Sequence, residues 1–224
     1  MDLTPTYLLA ILEVGWINVL LSGDNAVVIA LACRSLGARE RRWGILLGSG
    51  AAIALRIIFA LMVSWLMAVP FLQAAGGVLL LWIAAMLIRG SNDDHNVKAH
   101  DTLWRAVGTI AVADMAMSLD NVVAIAAVAR GDHWLFIIGL VLSIPLIVAG
   151  ASLISGVLEK FPLLVWAGGA LLGWVAGEMI GDDQALLALA GLSHTHAVHY
   201  GSAALGTIVA VVLGWLLSQR ESPA

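Results

Sequence analysis

Long apolar stretches, separated by short polar segments, follow one another along almost the whole chain. Stretches of about 20 residues with few charges recur from end to end, and a helix needs that length to cross a bilayer. The pattern predicts an all-α membrane protein with seven transmembrane helices. These spans cover about 7–32, 44–68, 71–89, 104–129, 134–156, 162–181 and 201–218.

A charge-free stretch, 57–88, runs from the second span into the third and is too long for a single helix. Pro70 lies within it. Proline removes a backbone donor and disfavours helix in the residue before it. We therefore expect two helices with a turn at Pro70.

Composition agrees with a membrane protein. The 224 residues are 61% hydrophobic and 12% charged, whereas about a quarter of a soluble domain is charged. The start, MDLTPTYLLAILEVGW, lacks the basic segment of a cleaved signal peptide and is expected to stay as the first span. The single cysteine, Cys33, excludes an internal disulfide and a cysteine metal site. Basic residues are scattered, so nucleic acid is not an expected partner.

The basic residues also predict the orientation in the membrane. One set of loops and tails contains nine of them, and the opposite set contains only Arg130. By the positive-inside rule, the N-terminus lies outside and the C-terminus in the cytoplasm, within the cell (inner or plasma) membrane. The nine are Arg34, Arg39, Arg41, Arg42, Arg89, Lys98, Arg105, Lys160 and Arg220.

Two segments of the chain repeat. LSGDNAVVIALACR, from Leu21, matches MSLDNVVAIAAVAR, from Met117, at an offset of 96 residues, and LLLWIAAMLI matches LLGWVAGEMI at an offset of 92. The chain is thus predicted to be one transporter domain, 1–224, with repeats at about 7–89 and 104–181 and an extra helix at about 201–218. Three spans per repeat make the two copies run in opposite directions, as in many secondary transporters.

Carboxylates within the predicted spans are the candidate functional groups. An ionised group at the bilayer centre costs about 2.5–3.5 kcal/mol or more, so such groups are usually functional. The five are Glu13, Asp24, Asp114, Asp120 and Glu178.

The two repeats present a shared polar motif. It reads Asn18-x5-Asp24-Asn25 in the first and Asp114-x5-Asp120-Asn121 in the second. Six residues turn an unbroken helix by about 240° and raise it about 9 Å, so we expect local unwinding near Ser22-Gly23. Inversion predicts that Asp114 lies level with Asp24, and Asp120 level with Asn18. Oxygen ligands of this kind suit Mg²⁺, Ca²⁺ and Mn²⁺.

Four other polar features have two interpretations each. Arg56 lies too deep to reach the headgroups and is expected to pair with a site carboxylate. Glu13 is an accessory ligand or an ordinary polar residue. Glu178 is a gate or a ligand at the outer mouth, or else a helix-end carboxylate near water. The HTHAVH segment, His194–His199, is expected to be a solvated outer loop, with metal capture as the alternative, and no histidine is expected within a span.

The GDNAVVIALA and SLDNVVAIAA segments, together with LLLWIA, SIPLIV and GWVAGEM, resemble the TerC family of integral membrane proteins, particularly its short YjbE-like metal-transport branch. The resemblance covers nearly the whole chain and implies manganese export. It places the family's acidic motif on Asp24, Asn25, Asp114, Asp120 and Asn121. Many members have an acid where this chain has Asn18, so this site is one charge poorer.

The expected function is therefore efflux of a divalent cation, Mn²⁺ above all, by exchange with H⁺. The ion is substrate, and no permanently bound cofactor and no enzymatic activity are expected. One alternative is export of a small organic cation or amino acid; a less favoured one is an intramembrane carboxylate enzyme. The partners are the metal ion and the lipid bilayer, and the sequence leaves open whether the chain forms a homo-oligomer.

Overall fold

The computed structural model describes residues 23–66, 69–89, 99–128, 133–161 and 163–219, and within these ranges every regular element is a helix. The all-α prediction therefore holds for the described residues. The helices are α1 (Gly23–Ala32), α2 (Ala38–Leu66), α3 (Leu72–Arg89), α4 (Ala99–Val128), α5 (His133–Lys160), α6 (Leu163–Gly181), α7 (Gln184–Ala190) and α8 (His196–Gln219).

Four segments among the described residues are long and apolar enough to cross a bilayer. They are Ala38–Phe59, Leu72–Arg89, Leu163–Asp182 and His196–Gln219, and a shorter apolar segment, Ile144–Leu158, lies in α5. The chain is therefore membrane-embedded, while the count of seven spans stays a prediction. The predicted break at Pro70 is confirmed, because α2 ends at Leu66 and α3 begins at Leu72.

The start of α8 differs from the prediction. The helix begins at His196, five residues before the expected start of the last span. The reason is local: the Thr195 hydroxyl accepts a hydrogen bond from the Val198 N–H (3.3 Å), which is the contact of an N-cap. Four of the six residues in the segment expected to be a loop, 196–199, therefore form the first turn of a helix. His196 and His199 thus lie in the first turn of a helix that is itself a candidate span.

The bundle contains both parallel and antiparallel pairs of helices. Gly48 lies against Ile110, and further along both helices Arg56 contacts Asp114, so α2 and α4 run parallel. On the other side of the bundle, α6 packs against both α3 and α8. The resulting interior is apolar apart from a few polar groups, and its large outward-facing side chains, such as Trp82 and Leu153, suit contact with lipid.

The interface between α3 and α6 contains the same glycine–isoleucine contact twice, with the roles of the two helices exchanged. A methyl group on Gly77 would crowd Ile180, and one on Gly169 would crowd Ile88. The two glycines are 92 residues apart, and so are the two isoleucines, which is the offset found in the sequence. The start of each helix therefore meets the end of the other, and the two helices run antiparallel.

Small residues bring α6 and α8 into backbone contact. Gly173 lies against Ala210, and Gly181 lies against Ser202, so these helices are also antiparallel. Between them, a Cβ on Gly177 would overlap the carbonyl oxygen of Ser202. Close approach of this kind gives dispersion contacts that lipid chains, themselves apolar, do not replace.

The Gly177→Ala substitution is therefore expected to destabilise the protein by about 1–3 kcal/mol, the usual cost of overpacking. The control is Gly201→Ala, which adds the same methyl group to α8 where nothing lies within 4 Å. That control should be neutral or slightly stabilising, because alanine favours helix over glycine by about 1 kcal/mol. Apparent unfolding temperatures in detergent measure both, and equal values would contradict the tight α6–α8 contact.

Candidate functional site

A buried ion pair joins α2 to α4. The Arg56 Nη2 atom lies 2.7 Å from Asp114 Oδ1, and Arg56 Nε donates to the same oxygen at 3.1 Å. The two residues are 1% and 3% exposed. Arg56 lies inside the candidate span Ala38–Phe59, so its charge has no access to the membrane surface. The expected pairing of Arg56 with an intramembrane carboxylate is present.

The second oxygen of Asp114 is also satisfied. One turn further along α4, the Ser118 hydroxyl donates to Asp114 Oδ2 at 2.9 Å, and Ser118 is fully buried. Residues four apart share one face of a helix, which explains why this serine reaches the carboxylate. The charge-assisted contacts from Arg56 and Ser118 offset part of the cost of removing the carboxylate from water.

A second carboxylate faces this pair from α1. Asp24 lies in the first turn of α1, is half-buried, and interacts electrostatically with both Arg56 and Asp114. Its Oδ1 atom accepts the Asn25 N–H at 2.8 Å. The helix N-terminus adds a favourable partial positive charge. That inversion sets Asp24 level with Asp114 stays a prediction. The neighbour of Asp24 in α1, Asn25, is 4% exposed.

These groups form one polar centre, which we call the Asp24–Asp114 centre: Asp24, Asn25, Arg56, Asp114 and Ser118. Two carboxylates and one guanidinium leave it with one net negative charge when all are ionised. The atoms that could bind a metal ion are carboxylate and amide oxygens, which hard divalent cations prefer. Because Asp114 is bound by Arg56, a cation can use both carboxylates only if Arg56 gives way.

The remaining predicted ligands fall outside what the structure describes. Glu13 and Asn18 lie before residue 23, and the side chains of Asp120 and Asn121 are not described, although their backbone belongs to α4. Their roles as ligands stay predictions.

The unwinding expected near Ser22-Gly23 has no counterpart in the second repeat. Helix α4 continues without a break through both Asp114 and Asp120. An unbroken helix separates them by about 9 Å and about 240°. Positions 114 and 120 therefore do not share one face of α4. In the first repeat, Gly23 already begins α1, and Ser22 lies outside the described residues.

Glu178 belongs to a different group of side chains. Trp174 Nε1 donates to Glu178 Oε1 at 2.7 Å, and His199 Nε2 lies 3.3 Å from the same oxygen. His199 Nδ1 in turn lies 2.9 Å from Asp182 Oδ1. Sequence reasoning missed Asp182. The signal was available in the acidic pair Asp182-Asp183 at the end of a span, close in sequence to two histidines.

Asp183 has a structural role. It is 3% exposed, caps α7 by accepting the Leu186 N–H (2.9 Å), and accepts the Ala74 N–H (3.0 Å) from the first turn of α3. One carboxylate thus satisfies backbone donors of two helix N-termini.

A cavity of about 560 Å³ lies between α1, α3 and α4. Its polar lining includes Arg34, Arg89 and Arg105. Three positive charges oppose a cation, so this cavity is not the candidate cation site.

The ion pair leads to a stability prediction. Arg56→Met should destabilise the protein by about 3–5 kcal/mol, because it leaves the Asp114 carboxylate buried without its counter-ion. Adding Asp114→Leu to that variant should restore much of the loss, since the unpaired charge is then gone. Apparent unfolding temperatures of the two single variants and the double variant, taken as a double-mutant cycle, measure the coupling. A double variant less stable than Arg56→Met would contradict the pairing.

Comparison with known proteins agrees with this picture. The chain is 44% identical to the Uncharacterized membrane protein YjbE of Bacillus subtilis (strain 168) over 180 residues, which cover 80% of this chain and 83% of that protein. It is 26% identical to the Uncharacterized membrane protein YkoY of the same organism over 93% of this chain and 74% of that protein. No solved structure matches the chain. The model of the Integral membrane protein TerC family matches residues 3–222, and the chain therefore belongs to the TerC family.

Proposed function

We propose that this protein is a divalent metal cation transporter that exports Mn²⁺ across the cytoplasmic membrane in exchange for protons. The observation that carries the proposal is the Asp24–Asp114 centre, in which two carboxylates and a buried arginine meet inside an apolar helical bundle. Charged groups inside a membrane are costly and typically mark ion pathways. Carboxylate oxygens are suitable ligands for Mn²⁺, as they are for Mg²⁺ and Ca²⁺.

Arg56 acts in this mechanism as an internal substitute for the metal ion. In the arrangement described here it neutralises Asp114 through contacts of 2.7 and 3.1 Å. A dication that enters between Asp24 and Asp114 displaces the guanidinium, and release of the ion restores the pair. This competition keeps binding reversible, which transport requires, because an ion held only by unopposed carboxylates would leave slowly.

The charges of the proposed site favour proton exchange. Asp24, Asp114 and Asp120 with Arg56 sum to two negative charges. One Mn²⁺ or two protons neutralise them equally well. A buried site that stays neutral avoids most of the free-energy cost of desolvating its charges. A cycle in which the site carries Mn²⁺ outward and protons inward keeps it neutral in both steps.

An inverted repeat accounts for the proposed alternating access. The crowding of Gly77 against Ile180 and of Gly169 against Ile88 supports it, because exchange of the two repeats maps one contact onto the other. The helix pairs support it too: α2 packs on α4 as α5 packs on α1. In such transporters the substrate site lies where the two copies meet.

We propose seven spans with the N-terminus outside and the C-terminus in the cytoplasm. Three basic residues at helix ends, Arg34, Arg89 and Arg105, line one cavity and therefore lie on one side of the bundle. Arg41 also donates to the carbonyl of Leu36 (3.1 Å) just beyond α1. Basic residues collect on the cytoplasmic side of membrane proteins.

Transport by variants tests the function. In cells that lack their own manganese exporter, the wild-type chain should raise Mn²⁺ tolerance and lower cell manganese. Asp24→Asn and Asp120→Asn should each reduce efflux at least about tenfold, equivalent to about 1.4 kcal/mol, because an amide is a weaker ligand than a carboxylate for a dication. Asn18→Asp should keep transport and shift its pH dependence.

The matched control for these variants is Glu40→Gln, which removes a carboxylate from the first turn of α2, away from the centre. It should transport like the wild type. Amounts of protein in the membrane are compared for every variant. If Asp24→Asn and Asp120→Asn insert normally and export Mn²⁺ at the wild-type rate, the carboxylates are structural and the proposed function is wrong.

Thiol labelling tests the orientation. Burial raises the pKa of the Cys33 thiol to about 12, so the native cysteine stays protonated and unreactive at neutral pH. New cysteines at exposed or partly exposed positions can therefore be read one at a time. A membrane-impermeant reagent added to intact cells should label His196→Cys and leave Glu40→Cys unlabelled until the cells are opened. The reverse pattern contradicts the orientation.

A further inference from the structure

The end of α6 and the start of α8 hold a cluster of metal-binding side chains that the proposed transport site does not use. Asp182 follows α6, His194 lies in the connection to α8, and His199 lies in the first turns of α8. Each offers one ligand atom, and the three atoms lie within 4.8 Å of one another. None of these residues belongs to the Asp24–Asp114 centre.

We propose that Asp182, His194 and His199 form a second metal site, which binds a first-row transition-metal dication at the end of the helical bundle. Asp182 Oδ1 lies 2.9 Å from both His194 Nε2 and His199 Nδ1, so one carboxylate oxygen already gathers the two imidazoles. A bound ion replaces these hydrogen bonds, with the same three side chains turned toward it and water in the open position.

The donor set decides which ions fit. Two imidazole nitrogens and one carboxylate oxygen suit Zn²⁺, Co²⁺, Ni²⁺, Cu²⁺ or Mn²⁺, whereas Ca²⁺ and Mg²⁺ require mostly oxygen ligands. Binding requires neutral imidazoles, so affinity should fall on acidification. The site is therefore chemically unlike the all-oxygen centre between α1, α2 and α4.

Glu178 and Trp174 orient one of the ligands. His199 Nε2 lies 3.3 Å from Glu178 Oε1, while Trp174 Nε1 donates to that same oxygen at 2.7 Å. A histidine that binds metal through one nitrogen commonly donates its other N–H to a carboxylate, which fixes the tautomer and the ring. Glu178 is the carboxylate that accepts from His199 Nε2, so His199 Nδ1 is the nitrogen that would bind the metal. Glu178 is thus a positioning residue.

The connection that carries His194 is held by regular capping contacts. Gly191, with φ of 66°, ends α7 in the left-handed conformation, and its N–H bonds to the carbonyls of Ala188 and Leu187. Asp183 caps the other end of α7, and Thr195 caps the start of α8. Asp182 and His194 are therefore placed by helix ends on either side, and a metal ion would need small side-chain movements only.

The test uses the full-length chain, purified with a tag that contains no histidine and carrying Asp24→Asn to weaken the oxygen centre. Titration with Co²⁺, followed by its visible absorption bands, should reveal one nitrogen-ligated site that Zn²⁺ empties by competition. His194→Ala and His199→Gln should each weaken Co²⁺ binding at least about tenfold. Glu178→Gln should weaken it by about 10–100-fold while keeping the ligand-field bands.

The matched control is His196→Ala. His196 lies between the two proposed ligands in sequence, but its ring stacks on Tyr200 (6.2 Å between ring centres) and is not part of the cluster. It should bind Co²⁺ like the parent. No nitrogen-ligated Co²⁺ spectrum, or one that His194→Ala and His199→Gln leave unchanged, overturns the proposal. Because Asp24 is already replaced, the result is independent of whether the oxygen centre transports Mn²⁺.

Discussion

The ion pair between Arg56 and Asp114 constrains the rest of the bundle. Both charges lie where water does not reach, so each must stay within hydrogen-bonding distance of the other. That requirement fixes how α2 lies against α4 and turns Ser118 toward the second carboxylate oxygen. It also defines the electrostatic surroundings of Asp24 at the start of α1. A site built this way cannot bind a cation without rearranging the pair, so the contact that stabilises the interior also regulates its chemistry.

Small residues at the helix interfaces are the second feature that holds the bundle together. Within lipid, apolar side chains gain little from leaving one apolar environment for another, and helices associate where their backbones approach closely. Gly177 allows this approach between α6 and α8, and Gly77 and Gly169 allow it between α3 and α6. The α6–α8 contact also positions two candidate metal ligands. It brings Asp182, at the end of α6, beside His199, in the first turn of α8.

The features that the sequence predicted correctly depend on strong, local physics. A long apolar run must be divided at Pro70, and a deep arginine such as Arg56 must find a carboxylate. The missed features depend on three-dimensional context. The start of α8 depends on one hydroxyl, that of Thr195. Asp182 escaped notice because its partners, His194 and His199, meet it only after α6 and α8 have packed.

Two sites of different chemistry would divide the work of selecting an ion. Carboxylate oxygens at the Asp24–Asp114 centre would bind Ca²⁺ and Mg²⁺ as well as Mn²⁺, since charge alone does not distinguish these ions. At the proposed second site, the imidazoles of His194 and His199 would make that distinction, because nitrogen ligands favour transition metals. Neither set discriminates fully by itself, since the nitrogen cluster would retain Zn²⁺ and Cu²⁺ more tightly than Mn²⁺. At the oxygen centre, an entering ion would compete with Arg56 for the Asp114 carboxylate. This competition would weaken binding, so that the ion can be released again.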